Sequence, residues 1–452
     1  MFMFATLTEL TQAVLAQPVN LSAADLAQVS TGIQTDSRVI QPGEVFVALR
    51  GEKFDGHAFV ATAIAQGAIA AIVDFDYENS TLPVLKVNDT LEAYQKFGRW
   101  WRDRFHIPVI GVTGSVGKTT TKELIAAVLG TQGKVHKTFG NFNNEIGVPK
   151  TLLELNAEHD YAVIEMAMRG RGQIAELTQI ARPTIGVITN VGTAHIELLG
   201  SEAAIAQAKC ELLAEMPQNS VAILNHDNPL LLATAAKLWQ GQVLTYGFSG
   251  GDIHGTLIDN ETIEVSGIQL PFPLKGRHNA SNFLAALAVA QVLGIDWASL
   301  KHGVTVNMPT GRSQRLTLPN DIVILDETYN AAPEAMIAAL QLLADTPGKR
   351  RIAVLGAMKE LGERSPELHQ RVGEKVRDLK LDGLLVLADG QDAETIAKSA
   401  VGIPSECFTS HSDLVERLKT YMQAGDRLLF KAAHSVGLDR VVNQLLGEGS
   451  KE

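Results

Sequence analysis

The sequence predicts an α/β protein of three domains. These are a small α/β domain, a central parallel sheet of the phosphate-loop ATPase type, and a C-terminal α/β domain of the dinucleotide-fold type. Three observations carry this expectation. The chain has 452 residues, and about 150 residues per domain gives three. Two long stretches alternate apolar runs of strand length with helical patterns, as parallel sheets covered by helices do. A polar segment ending in Pro108 separates the mixed first 100 or so residues from these stretches. The expected boundaries are 1–108, 109–312 and 313–452.

The elements follow in order. Residues 6–16 have the spacing of a helix, with Leu7, Leu10, Val14 and Leu15 apolar. The turn Gln41, Pro42, Gly43 precedes a strand over 44–49. A helix is expected at 59–66 and a buried strand at 70–73. From Val109 the rhythm becomes strand, loop, helix: strand 109–112, helix 119–129, then strands 161–165, 185–189 and 221–224. A helix at 202–214 lies among them, and the apolar helix 279–293 closes the block. Gly311 and Arg312 suit a hinge. The last block has strands at 322–326, 352–355, 384–387 and 428–431, and helices at 334–343, 367–379 and 413–422. It lacks an early G-x-G-x-x-G, so nicotinamide binding is not indicated.

Composition excludes several classes. Lys and Arg number 39 against 50 Asp and Glu, a net charge of -11. That balance argues against a nucleic-acid partner, which needs clustered basic side chains. With 46% hydrophobic and 20% charged residues the chain is neither disordered nor collagenous. Cys210 and Cys407 are too few for a disulfide scaffold or a four-thiolate zinc site. No apolar run of about 18 residues appears, so no membrane span is expected. Residues 1–10 lack a basic then apolar leader pattern. A cytoplasmic protein is expected. No internal repeat is visible.

The strongest motif is Thr113, Gly114, Ser115, Val116, Gly117, Lys118, Thr119, Thr120, between a strand and a helix. Glycines there let backbone N–H groups approach phosphate oxygens, and the helix start adds positive potential. Lys118 would meet the β- and γ-phosphates, and the Thr119 hydroxyl would bind Mg²⁺. Val112 stands where a strict phosphate loop has its first glycine. Glu165 ends an apolar strand, at the sheet edge where ligands bind, and suits Mg²⁺ or an arginine. His195 follows another strand and suits a metal, a phosphate or a purely structural role. Lys209 alone reads as a solvated helix lysine. Thr35, Asp36, Ser37 and Arg38 suit a diphosphate or sugar, or an Asx-type turn. Asp55 and His57 read as a turn. Asn141, Asn143 and Asn144 suit a turn or a polar ligand. Asp326 ends a strand where a carboxylate can bond a ribose.

Together these segments resemble the ATP-dependent Mur ligases of bacterial cell-wall synthesis. The resemblance covers nearly the whole chain in order. It runs through residues 35–48, 51–57, 113–119 and 140–149, then Glu165, His195 and Lys209. It continues through 276–282, Gly311, Arg312, 326–333 and 355–362. It implies amide-bond formation with ATP: a carboxylate takes the γ-phosphoryl group, and an amine then displaces phosphate from the acyl phosphate. The implied partners are UDP-N-acetylmuramoyl-tripeptide and D-alanyl-D-alanine, the chain acting as a monomer.

The implied catalytic residues are Lys118, Glu165, His195 and Lys209. The implied nucleotide site adds Asn279, Asn282, Arg312, Asp326, Tyr329 and Asn330 to the 113–120 loop. Thr35 to Arg38, Asp55, His57, Asn141, Asn143 and Asn144 become contacts to the sugar nucleotide. Two Mg²⁺ ions are implied, held by Thr119, Glu165, His195 and Lys209, the lysine as a carbamate. The third-residue ligases of this family usually carry Asp-Asn-Pro-Arg in the last domain, and here Asp227, Asn228 and Pro229 fall earlier and precede Leu230. Ala332 and the stretch Lys431 to Ser435 depart from the usual pattern, which concerns acceptor contacts. A nucleotide-binding regulator would not need Glu165, His195 and Lys209 together. A folylpolyglutamate-synthase-like ligase would lack the first domain.

Overall fold

The computed structural model describes residues 4–78 and 81–447, so the start of the leader segment considered above lies outside the described residues. The chain divides into two compact units. The first comprises residues 1–109, 134–166 and 175–183, and the second residues 110–133, 167–174 and 184–452.

In the first unit, five strands lie in the order Gln17–Val19, Val84–Val87, Ala70–Asp74, Val45–Val47, Ile33–Gln34. All pairs are parallel except the first. Every residue of Ala70–Asp74 is buried, which is why the run reads as continuous rather than alternating. Phe46, Ala48, Val60, Ala63, Ala71 and Val84 form the core beneath it. A fully buried side chain of the size of Phe46 stabilises by roughly 1.5–3 kcal/mol. Helix Leu7–Val14 begins at Thr6, whose hydroxyl accepts the Glu9 N–H while Glu9 bonds back to the Thr6 N–H. It ends where Leu15 turns left-handed. Helix Thr90–Arg102, capped by Asp89, buries Ala93, Tyr94, Phe97 and Trp101 on one face. Strands Val135–Lys137 and Tyr161–Glu165 pair in parallel within this unit.

The second unit holds two sheets. In one, Ile110 to Thr113 pair with Ile185 to Ile188, and Val221–Asn225 and Gln242–Gly247 continue in parallel. Beyond them Ile253–Leu257, Thr262–Val265 and Ile268–Pro271 extend the sheet with two antiparallel pairings. The sequence reading missed this extension. Its strands alternate buried and open positions and are joined by a turn at Ser266 and Gly267, both with positive φ. The buried helices Lys118–Leu129 and Arg277–Val292 belong to the same unit.

The other sheet has the order Gln314–Leu318, Ile322–Asp326, Asp426–Lys431, Arg350–Gly356, Gly383–Leu387, Ser405–Phe408. Its pairings are parallel except at Gln314–Leu318. The expected strands are present. The half-exposed edge strands Gln314–Leu318 and Ser405–Phe408 were missed, because neither is an apolar run. Among the described residues no helix is long and apolar enough to cross a membrane.

Candidate active site

The strand Val109–Thr113 delivers the chain into the glycine loop, and helix Lys118–Leu129 starts directly after it. Both glycines are required by geometry. Gly114 has φ +154°, and a Cβ there would lie 1.9 Å from the Thr189 hydroxyl. Gly117 has φ +81°, and a Cβ would lie 2.7 Å from Asn282 Oδ1. The loop is tied to the end of the neighbouring strand. Val116 N–H donates to Asn190 Oδ1 (3.0 Å), Asn190 Nδ2 to Val116 O (3.0 Å), and Thr189 Oγ1 to Val116 O (2.6 Å). Gly192 N–H donates to Ser115 Oγ at 3.0 Å. Lys118 Nζ curls over the loop and donates to Gly114 O (2.9 Å) and Ser115 O (3.3 Å). Thr113 Oγ1 is buried and has no hydrogen-bond partner. Thr119 and Thr120 are buried in the first turn of the helix.

His195 and Lys209 stand close enough to this loop for its charge to act on them. Burial lowers the His195 pKa, and the nearby Lys118 cation lowers it further. Lys209, 1% exposed, sits on helix Glu202–Glu215, which Ser201 caps. Burial drives its pKa well below the usual lysine value, with Lys118 adding to the effect. No carboxylate pairs with it among the described residues. A neutral amine in a sealed position is the form that adds CO₂.

Glu360 was not anticipated. It contacts the His195 ring through Nδ1, and its other oxygen lies 3.8 Å from Arg169 Nε. Glu334 was also missed. Its Oε1 accepts both the N–H and the hydroxyl of Thr193, each at 2.9 Å.

Glu165 lies in the first unit, 1% exposed. Asn143 Nδ2 donates to its Oε1 at 2.8 Å, and its N–H donates to the Thr138 hydroxyl at 2.9 Å. Asn144 Oδ1 accepts the Gly147 N–H, and Asn141 is exposed. Asp36 caps the short helix Ser37–Val39 and takes the Arg38 guanidinium on both oxygens. Arg38 thereby holds the Asp36 carboxyl down to about 2. Thr35 N–H donates to Gln34 Oε1. His57 is buried: Asp74 N–H donates to Nε2 (3.0 Å), and Nδ1 lies 2.6 Å from Asp55 Oδ1. Arg50 reaches Asp55, Asp74 and Asp76.

In the second unit Asn279 and Asn282 lie on helix Arg277–Val292. Asn282 Oδ1 accepts the Thr121 hydroxyl at 3.2 Å. Asn279 Nδ2 donates to Lys275 O (2.9 Å), while its Oδ1 is buried without a hydrogen-bond partner. Asp326 accepts from Thr328 N–H and Oγ1, and burial raises its pKa. The Arg312 guanidinium lies 3.9 Å over the Tyr329 ring, which stacks on His434. Asn330 Oδ1 accepts the Ala331 N–H.

The donors suit Mg²⁺ in kind. That ion takes one or two carboxylates, hydroxyl and phosphate oxygens, and keeps waters. Among the described residues no three His, Cys, Asp or Glu side chains form a self-sufficient metal cage.

A phosphate loop with a buried amine close to it marks a nucleotide-dependent enzyme, and comparison with known proteins gives the class of ligase. The Mur ligase middle domain matches residues 112–290, the Mur ligase glutamate ligase domain residues 311–434, and the Mur ligase family catalytic domain residues 29–99. The chain belongs to the Mur ligase family.

Within it, the chain is 60% identical over 418 residues to a UDP-N-acetylmuramoyl-tripeptide–D-alanyl-D-alanine ligase of Synechocystis sp., covering 92% of each. The Bacillus subtilis ligase of that name is 36% identical, with 92% of this chain and 93% of that one covered. Among solved structures, MurF of Acinetobacter baumannii superposes with a TM-score of 0.88 at 30% identity, covering 98% and 99%. MurF of Thermotoga maritima, solved with ADP, gives 0.83 at 32% identity, covering 92% and 97%.

Proposed function

We propose that this chain joins D-alanyl-D-alanine to UDP-N-acetylmuramoyl-tripeptide at the expense of ATP. The observation that carries the reading is that Lys118, on a phosphate loop, shares its electrostatic neighbourhood with His195 and the buried amine of Lys209. The printed names of the similar ligases, and the ADP bound to one of them, support it.

A peptide carboxylate attacks the γ-phosphorus, the bridging P–O bond to ADP breaks, and an acyl phosphate forms. The dipeptide amine then attacks the acyl carbon. A C–N bond forms, the amine gives up a proton, and the C–O bond to phosphate breaks. Two anions must meet in the first step, so Lys118 and the loop N–H groups lower the barrier by neutralising charge in place. Asn279, with its unpaired buried oxygen, suits an adenine amino group, and Asn282 lies one turn along the same helix. Arg312, Asp326, Tyr329 and Asn330 are assigned to the nucleotide. Thr35 to Arg38, Asp55, His57, Asn141, Asn143 and Asn144 are assigned to the sugar nucleotide.

Thr119, Glu165, His195 and a carbamylated Lys209 are assigned to Mg²⁺, two ions in all, which supplies further charge neutralisation when bound. Carbamylation adds CO₂ to the neutral amine and releases one proton. The functional modules are taken as 1–108, 109–312 and 313–452, in a cytoplasmic monomer.

Phosphate release should require ATP, the UDP-tripeptide and D-alanyl-D-alanine together. Lys118→Ala should lower it by at least about 100-fold. ATP hydrolysis indifferent to both other substrates would overturn the reading.

A further inference from the structure

We propose that Glu360 is a positioning residue: by accepting the Nδ1 proton of His195 it fixes that ring with Nε2 as the lone-pair nitrogen offered to the reactants. A neutral imidazole has one N–H and one acceptor nitrogen, and an ionised carboxylate only accepts. The contact joins His195 Nδ1 to Glu360 Oε2, so in the neutral ring the proton is placed on Nδ1. Nε2 then cannot donate to a phosphate oxygen. It can only accept, or ligate. Of the roles that the sequence left open for His195, this removes donation to a phosphate.

The backbone holds both partners in place. His195 has φ 66° and Glu360 φ 60°, left-handed conformations for residues with side chains. Each such conformation is strained and persists where surrounding contacts over-determine it. Those contacts are present. Glu197 N–H donates to Glu360 O at 3.3 Å. Gly362 approaches Glu197 so closely that a Cβ would lie 3.2 Å from the Glu197 Cβ. Arg169 faces the remaining Glu360 oxygen. A short way along the same loop, Glu334 grips Thr193. Both carboxylates come from the segment matched at 311–434, and the loop they hold from the segment matched at 112–290. The histidine next to the phosphate loop is therefore oriented from the last third of the chain. The kinetic part of this inference rests on the proposed ligase reaction, and the tautomer does not.

The test uses full-length protein with ¹⁵N-labelled histidine, at about pH 8, where an unperturbed imidazole is neutral. Long-range ¹H–¹⁵N spectra read the tautomer, and His195→Gln assigns the signal. Wild type is expected to show Nδ1–H at His195. Glu360→Ala should lose that preference, and Glu360→Gln should keep it, because the amide oxygen still accepts. A wild-type His195 with Nε2–H overturns the proposal, whether or not the alanine variant folds. So does an unchanged spectrum in Glu360→Ala.

In parallel, hydroxylamine traps the acyl phosphate formed from ATP and UDP-tripeptide. Glu360→Ala should lower kcat about 10–100-fold, as loss of a ligand-orienting partner does, with the KM for ATP little changed. Glu360→Gln should recover most of the rate. Equal losses in both variants would mean that charge or packing, not proton placement, is the role, and would overturn the proposal. If wild type yields no trapped product, the ligase reading fails while the spectrum still decides the tautomer.

Discussion

Lys209 shows how far burial beside another cation can change a side chain's chemistry. On the surface its ammonium would be fixed at neutral pH. Sunk in helix Glu202–Glu215 and repelled by Lys118, it is driven toward the neutral amine. If it serves as a carbamate, turnover should fall in CO₂-depleted buffer and return with bicarbonate, and Lys209→Ala should not respond to bicarbonate. Undiminished turnover in Lys209→Ala would remove the assignment. His369 makes the complementary case for stability. Its Nε2 accepts the Met358 N–H and its Nδ1 faces Ser365 O, so the folded protein needs the neutral ring. Burial lowers its pKa. Below about 6.5 the unfolded chain takes a proton that the folded chain refuses, so stability is full above that pH and falls as pH drops. Urea midpoints at about pH 7.5 and about pH 5.5 should therefore differ less in His369→Gln than in wild type. Neither role is visible at residue level in the sequence, where both read as ordinary helix positions.

At the scale of elements, the phosphate loop was legible because strand, glycines, lysine and helix are contiguous. Gly117→Ala should cost about 1–2 kcal/mol for the left-handed backbone, before the approach to Asn282 is counted. A thermal melt of the variant without lowered midpoint would contradict this. Strands Arg350–Gly356 and Asp426–Lys431 are bolted at one end. Arg350 Nε and Nη2 meet the two oxygens of the fully buried Asp426, at 2.9 and 2.6 Å. Removing one partner leaves a buried charge unpaired, so Arg350→Ala should destabilise by roughly 3 kcal/mol in denaturant unfolding, the low end expected for a half-open pair. The antiparallel strands from Ile253 to Pro271 escaped the sequence reading because each is short and only half apolar. Pairing with neighbours, not local preference, makes them strands.

For the whole molecule the discriminating property is the acceptor. With UDP-tripeptide and ATP, D-alanyl-D-alanine should be consumed, and L-lysine or diaminopimelate should not. Turnover with either amino acid instead would move the chain to another branch of its family. Family resemblance named the acceptor, and the stretch Tyr329 to Pro333 lies close to the pattern of ligases using it, although Ala332 and residues 431–435 depart from the usual one. The sequence by itself determined the α/β class, the apolar strands and the phosphate loop. These are written in contiguous residues, where periodicity and spacing are readable, whereas Glu165, His195 and Lys209 became a set only through the family resemblance. Only the tertiary structure decided that Lys209 is sealed from water and that Glu360, 165 residues along the chain, holds His195. Burial and long-range pairing depend on which surfaces meet after folding, and no local spacing encodes that meeting.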